Sequence, residues 1–145
     1  MNTDLMFSRK DQTWETPIDF FNELNREFNF TLDPCCAKET AKCEKFYTEK
    51  ENGLIQDWGG ETVFCNPPYG REQKKWIQKC FKEGQKQNTT VVMLIPARTD
   101  TIAFHEYIYG KAEIRFIKGR LKFGGAKTSA PFPSMIVVFK KQNKG

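Results

Sequence analysis

The chain has 145 residues, a formal net charge of +5, 39% hydrophobic and 14% aromatic residues, which suits one domain with a real core. No apolar run reaches membrane-spanning length, and Met1 to Leu5 lack a signal-peptide layout, so neither a membrane-spanning nor a secreted protein is expected. Five cysteines, an odd number without a paired framework, point to a reducing cytoplasm, and the basic balance is compatible with a nucleic-acid partner without requiring one.

Residues 1–12 are mixed and polar and read as a loose arm, with the folded domain over 13–140 and a frayed tail over 141–145. Thr16-Pro17-Ile18-Asp19 has the layout of a helix start: Thr16 as N-cap, Pro17 at the first helical position, an acid three residues after the cap. Ile18, Phe21, Leu24 and Phe28 recur at helical spacing, so this helix buries one face. Trp14 stands just before it, where a ring often serves only to fix the entry of the chain.

Phe28, Phe30 and Leu32 alternate and lead into Asp33-Pro34, a strand that ends on a carboxylate. Ligands of open α/β sheets bind outside the carboxyl ends of strands, which makes Asp33 a candidate; Asp-Pro is also an ordinary turn opener. Cys35, Cys36, Cys43 and His105 contain no Cys-x-x-Cys pair and read as packing residues, so no metal is expected. Phe46-Tyr47-Thr48 reads as a short strand and Asn52-Gly53-Leu54 as a turn, followed by Asp57-Trp58.

Val63-Phe64-Cys65-Asn66-Pro67-Pro68-Tyr69-Gly70 carries the chemistry. An apolar run that stops in Pro-Pro is a buried strand passing into a rigid loop, because each proline fixes its own φ and keeps the preceding residue extended. The Asn66 amide and the Pro67 carbonyl are thereby aimed at one point, with the Tyr69 ring beside it. Two acceptors and a ring face suit an exocyclic amine on a planar heterocycle. Its lone pair is delocalised, and hydrogen bonds accepted from its N–H groups favour the localised, attacking form. A strand end with a proline turn is the plainer alternative.

Further on, Trp76, Ile77, Cys80 and Phe81 give an amphipathic helix ending near Gly84. Val91 to Ile95 is a central buried strand running out into Pro96-Ala97-Arg98-Thr99-Asp100. Thr99 or Asp100 caps a helix whose Ile102, Phe104, Tyr107 and Ile108 pack inward. Glu113–Ile117 and Arg120–Phe123 read as strands, and Lys111, Arg115, Lys118, Arg120, Lys122 and Lys127 form a candidate DNA-facing lip or a solvated basic hairpin. Met135–Phe139 closes the sheet. The alternation predicts a single-domain α/β, Rossmann-like fold with a mostly parallel central sheet and an antiparallel C-terminal hairpin.

Asn66-Pro67-Pro68-Tyr69 resembles the catalytic tetrapeptide of amino-group methyltransferases that use S-adenosylmethionine. Together with Trp14-Glu15-Thr16-Pro17, Leu32-Asp33-Pro34-Cys35-Cys36-Ala37 and Pro131-Phe132-Pro133-Ser134, in order over residues 12–140, the chain is similar to the small phage-type DNA N6-adenine methyltransferases. The resemblance implies a methyltransferase fold, S-adenosylmethionine as cofactor and double-stranded DNA as partner. It implies a catalytic set of Asn66, Pro67, Pro68 and Tyr69, and cofactor contacts from Trp14, Thr16, Pro17, Asp33, Pro34, Asp57 and Asn66. It also implies substrate contacts from Tyr69, Arg98, Arg120, Lys122 and Phe132, and protection of phage DNA from host restriction as the purpose. Cys35-Cys36-Ala37 stands where many methyltransferases carry glycines, a pattern like the adenine-specific DNA enzymes and unlike protein glutamine methyltransferases. An amino-group methyltransferase acting on RNA or a protein amide, and a catalytically silent DNA-binding module of the same fold, stay open as alternatives.

Overall fold

The computed structural model describes residues 15–124 and 129–141. Trp14, the arm over 1–12, Lys127 and all of the tail but Lys141 lie outside the described residues.

The amphipathic spacing after Pro17 produces helix α1 (Ile18–Phe28), which buries Phe21 and Leu24. It ends because Asn29 takes the left-handed conformation at φ 58°, with the Asn25 carboxamide oxygen accepting from Phe30 N at 2.7 Å. This turn separates Phe28 from the strand expected to begin there, and β1 is only Leu32–Asp33. Phe30 packs on Phe21 and Phe64 at 5.5 and 5.3 Å between ring centres. Ile18, expected on the buried face, is exposed.

The strands β2 (Lys45–Phe46), β3 (Thr62–Cys65), β4 (Thr90–Pro96), β5 (Glu113–Phe116) and β6 (Ser134–Lys140) complete a six-stranded sheet ordered β2-β1-β3-β4-β6-β5. Pairings from β2 through β4 are parallel, and β6 is antiparallel to both β4 and β5. The expected mixed α/β sheet is observed. β4 and β6, buried along almost their whole length, read as continuous apolar runs because both faces are covered. Helix α2 (Gln73–Glu83) lies on the face opposite α1; its end approaches β6 so closely that a Cβ on Gly84 would sit 2.5 Å from Phe139 Cβ.

Two further expectations need correction. Arg120–Phe123 is not a strand; a turn at Gly119 (φ 77°) breaks the extended path, and among the described residues Ala130 N donates to Leu121 O at 2.8 Å without a continuing ladder. The helix after β4 is a short turn that widens to i→i+5 bonding over Phe104–Ile108, with Tyr109 N donating to Phe104 O. It is capped by Thr101, whose hydroxyl accepts from Phe104 N at 3.1 Å, and Ile102 points to solvent. Trp58 is fully buried, donates to Gly53 O at 3.0 Å and stacks on Trp76. Among the described residues, no helix is long and apolar enough to cross a membrane.

Candidate functional site

The sheet has one place where ligand binding is built into its connectivity. β1 and β3 are parallel neighbours, yet β1 leads outward to β2 and β3 leads the other way to β4. Between their carboxyl ends the two connections diverge and leave a crevice. Asp33 ends β1, and Asn66 follows the last residue of β3.

Asn66 is held by its neighbours. Its Nδ2 donates to the Thr16 hydroxyl at 3.0 Å, and its Oδ1 accepts from the Tyr69 phenol at 3.2 Å. The Tyr69 hydroxyl is also 3.4 Å from Leu94 O, so the ring bridges the loop to β4. Thr16 is buried at 3% exposure and does not cap α1, where Pro17 stands at the N-cap with no side-chain bond. Its hydroxyl points away from the helix to fix the amide. Pro67 is buried and Pro68 half-buried, so the loop is packed as well as stiff.

Tyr69 is 7% exposed, and Phe132 meets it edge-on at 5.6 Å. Phe123 backs Phe132 at 6.0 Å. Burial pushes the Tyr69 phenol far above its ordinary pKa, so it acts as a neutral hydrogen-bonding group.

Asp33 is 3% exposed. Its carboxylate accepts from Cys35 N at 3.3 Å and Lys42 N at 3.0 Å, and burial, opposed by those bonds, raises its pKa to about 6. A carboxylate so placed is a strong acceptor for a cation that brings its own N–H groups. Pro34 is buried beside it, and its carbonyl is approached so closely by Gly53 that an added Cβ would lie 2.2 Å from the oxygen.

One residue laces the surrounding loops together. Glu15 accepts from Lys42 Nζ at 3.3 Å through its side chain and from Gly124 N at 2.8 Å through its carbonyl. Neither Glu15 nor Lys42 stood out in the sequence. Glu15 lies inside the segment Trp14-Glu15-Thr16-Pro17, and Lys42 carries no local signal.

Arg98, just past β4, is exposed, as are Lys118, Arg120 and Lys122, which follow β5. β5 runs parallel to β4, since both are antiparallel to β6, so all four cations lie off the same carboxyl edge as Asn66. The other two described members of the expected lip, Arg115 and Lys111, are engaged elsewhere. Arg115 forms a two-pronged pair with Glu27, both bonds at 2.7 Å, and Lys111 donates to Glu106 O at the start of β5.

Asp57 is not brought to this edge. It lies where the chain approaches the amino end of β3, exposed, paired with Lys86 at 2.7 Å past the end of α2. That pairing holds its pKa below the ordinary value. The cysteines pack as small residues, with Cys35, Cys36 and Cys43 all raised by burial, Cys43 to about 12. Among the described residues, no three His, Cys, Asp or Glu side chains gather as a metal site would need.

The model of the DNA N-6-adenine-methyltransferase (Dam) family matches residues 2–144. A DNA N-6-adenine-methyltransferase of Escherichia phage T1 is 33% identical over 110 residues, 74% of this chain and 45% of that protein, so the chain spans less than half of that relative's length. YfdM, a candidate methyltransferase of Escherichia coli K12, is 36% identical over 63 residues, 39% of this chain and 69% of its own. A solved candidate methyltransferase from Thermoplasma acidophilum covers 90% of this chain and 67% of its own, with a TM-score of 0.46 and 12% identity. Because the family model runs over almost every residue, the chain belongs to the DNA N6-adenine methyltransferase (Dam) family.

Proposed function

We propose that this chain transfers a methyl group from S-adenosylmethionine to the N6 amine of an adenine in double-stranded DNA. The observation that carries the reading is the fixed Asn66 amide at the divergence of β1 and β3, cross-linked to Thr16 and Tyr69, with the buried Asp33 carboxylate ending the neighbouring strand at the same edge.

Asp33 suits the α-ammonium of the cofactor, because its carboxylate accepts from backbone N–H groups and forms no ion pair among the described residues. Thr16, Pro17, Pro34 and Asn66 belong to the same strand-end region, and Trp14, outside the described residues, is assigned to the cofactor from the family resemblance of the segment Trp14-Glu15-Thr16-Pro17. Asp57, at the amino end of β3, would need the Lys86 pair to open and the loop to move before it could reach a ligand here. When bound, the cofactor supplies a methyl group on a sulfonium.

The residues of the chain do the positioning. An amide oxygen accepts two hydrogen bonds, so Tyr69 does not exclude a substrate amine from Asn66 Oδ1. The Pro67 carbonyl offers a second acceptor, and together they draw the amine lone pair out of conjugation as the bond to carbon forms. No side chain need remove the proton beforehand, since the amine becomes acidic only after methylation.

The target base must leave the duplex, at a cost of a few kcal/mol. Stacking against Tyr69 and Phe132 returns about 1–3 kcal/mol, and the edge-on pair must part to admit the ring. Arg98, Arg120 and Lys122 hold phosphates, which positions the duplex without reading its sequence. Incubation with unmethylated DNA and labelled cofactor, followed by digestion to nucleosides, tests the reading. Label in N6-methyladenine is the expected result; label in RNA or protein alone, or none anywhere, refutes it.

A further inference from the structure

Among the described residues, two buried side-chain polar atoms have no hydrogen-bond partner, Gln73 Nε2 and Ser134 Oγ. Leaving such a group unpaired costs stability, so each asks for a reason.

Both stand at the carboxyl edge, on either side of the Asn66–Tyr69 loop. Gln73 opens α2 three residues past Gly70, and its backbone N donates to Gly70 O at 3.2 Å. Ser134 opens β6 opposite Pro96 and is 1% exposed. Phe132, two residues before it, is the ring that meets Tyr69. Alternation along β6 puts Ser134 and Ile136 on one face and Phe139, which packs on Phe81 of α2, on the other. Ser134 therefore faces the α1 side, where Thr16 holds Asn66.

The two atoms share one chemistry: each can donate. The acceptors at Asn66 and Pro67 suit an amine, and the two unpaired groups at the same edge are donors. In adenine the N6 amine lies between two ring acceptors, N1 and N7. In cytosine the N4 amine has a ring acceptor on one side and a C–H on the other. A site with acceptors in the middle and a donor on each flank matches adenine and leaves one donor unpaired against cytosine.

We propose that Gln73 and Ser134 donate to the two ring nitrogens that flank the target amine, and so make the site selective for adenine over cytosine. The inference rests on the function proposed above. It assigns these residues to base selection, with no part in holding the cofactor.

The test uses the duplex whose adenine the labelled-methyl assay identifies, with that base replaced in turn by 1-deazaadenine, 7-deazaadenine and cytosine. The wild type should lose about 10–100-fold in kcat/KM for each deaza base, as for a buried hydrogen bond left half made. Ser134→Ala and Gln73→Leu should each lose a similar factor on natural adenine. Each variant should then be indifferent to one of the two deaza substitutions, a different one for each, with the cofactor Kd unchanged. Ser134→Ala should melt no lower than the wild type, since it removes an unpaired hydroxyl. Unchanged kcat/KM in both variants, or penalties that multiply for every pairing of variant and analogue, overturns the inference and leaves the methyltransferase reading standing. Failure of the wild type to methylate any duplex removes both.

Discussion

Replacing Asp33 by asparagine should make the protein more stable at neutral pH while weakening its hold on the cofactor. The Asp33 carboxyl, 3% exposed, has its pKa raised from 3.8 to about 6. The folded state therefore binds this proton more tightly than the unfolded chain does. Stability contributed by the protonated form is present in full below pH 4, falls as pH rises towards 6, and is lost above it. The shift corresponds to about 3 kcal/mol. Asparagine cannot ionise, so that loss disappears, but one of the two backbone donors now faces an amide NH2, which returns about 1–3 kcal/mol of cost. The net expectation at pH 7.5 is a gain of about 1 kcal/mol, or a melting temperature higher by about 3 °C. The sharper measurement is the stability difference between variant and wild type, from urea titrations at half-unit steps between pH 4 and 7.5. It should move in favour of the variant by about 2.5 kcal/mol across that range. A difference that does not change with pH refutes the raised pKa. The same carboxyl gives a binding signature: calorimetry in two buffers of different ionisation enthalpy should show about half a proton released on cofactor binding at pH 6, and none above pH 8.

Asn66→Ala should slow methyl transfer on the order of 10²–10³-fold with cofactor affinity largely kept, and Thr16→Val should cost about 10–10²-fold by loosening the amide. Single-turnover kinetics alongside calorimetry check both, and near-normal turnover in Asn66→Ala removes the assigned role. Arg120→Ala and Lys122→Ala should each flatten the plot of log affinity for DNA against log salt by about one unit, without altering cofactor affinity. Slopes equal to the wild type would place these side chains off the DNA. Gly53→Ala should destabilise by about 1–3 kcal/mol, because the new Cβ would lie 2.2 Å from the Pro34 carbonyl oxygen; an unmoved urea midpoint contradicts that close approach.

Patterns that depend on near neighbours could be read directly. The Pro-Pro pair marks the end of β3 because it acts on its own backbone and the residue before it. The runs Val91–Ile95 and Met135–Phe139 are strands because burial on both faces needs apolar residues at every position. Errors came where a local pattern had two outcomes of similar energy. Thr16 has the residue type and place of a helix cap, and its hydroxyl instead serves Asn66, fifty positions away. Phe30 alternates with Leu32 like a strand residue, and a left-handed Asn29 separates it from the helix end at Phe28. Nothing local in Asp57-Trp58 distinguishes a buried ring from an exposed carboxylate, yet Trp58 is core and Asp57 pairs with Lys86.

The chemical types proposed for the site, a rigid amide, a proline carbonyl, an aromatic ring and a strand-end carboxylate, are properties of short stretches and were present in the amino-acid order itself. Their meeting was decided only when β1 and β3 paired in parallel and their connections left in opposite directions, because that juxtaposition comes from sheet order. The raised pKa of Asp33 and the unpaired atoms of Gln73 and Ser134 likewise belong to the folded state. Exclusion of water by distant parts of the chain creates them, and no local pattern encodes that exclusion.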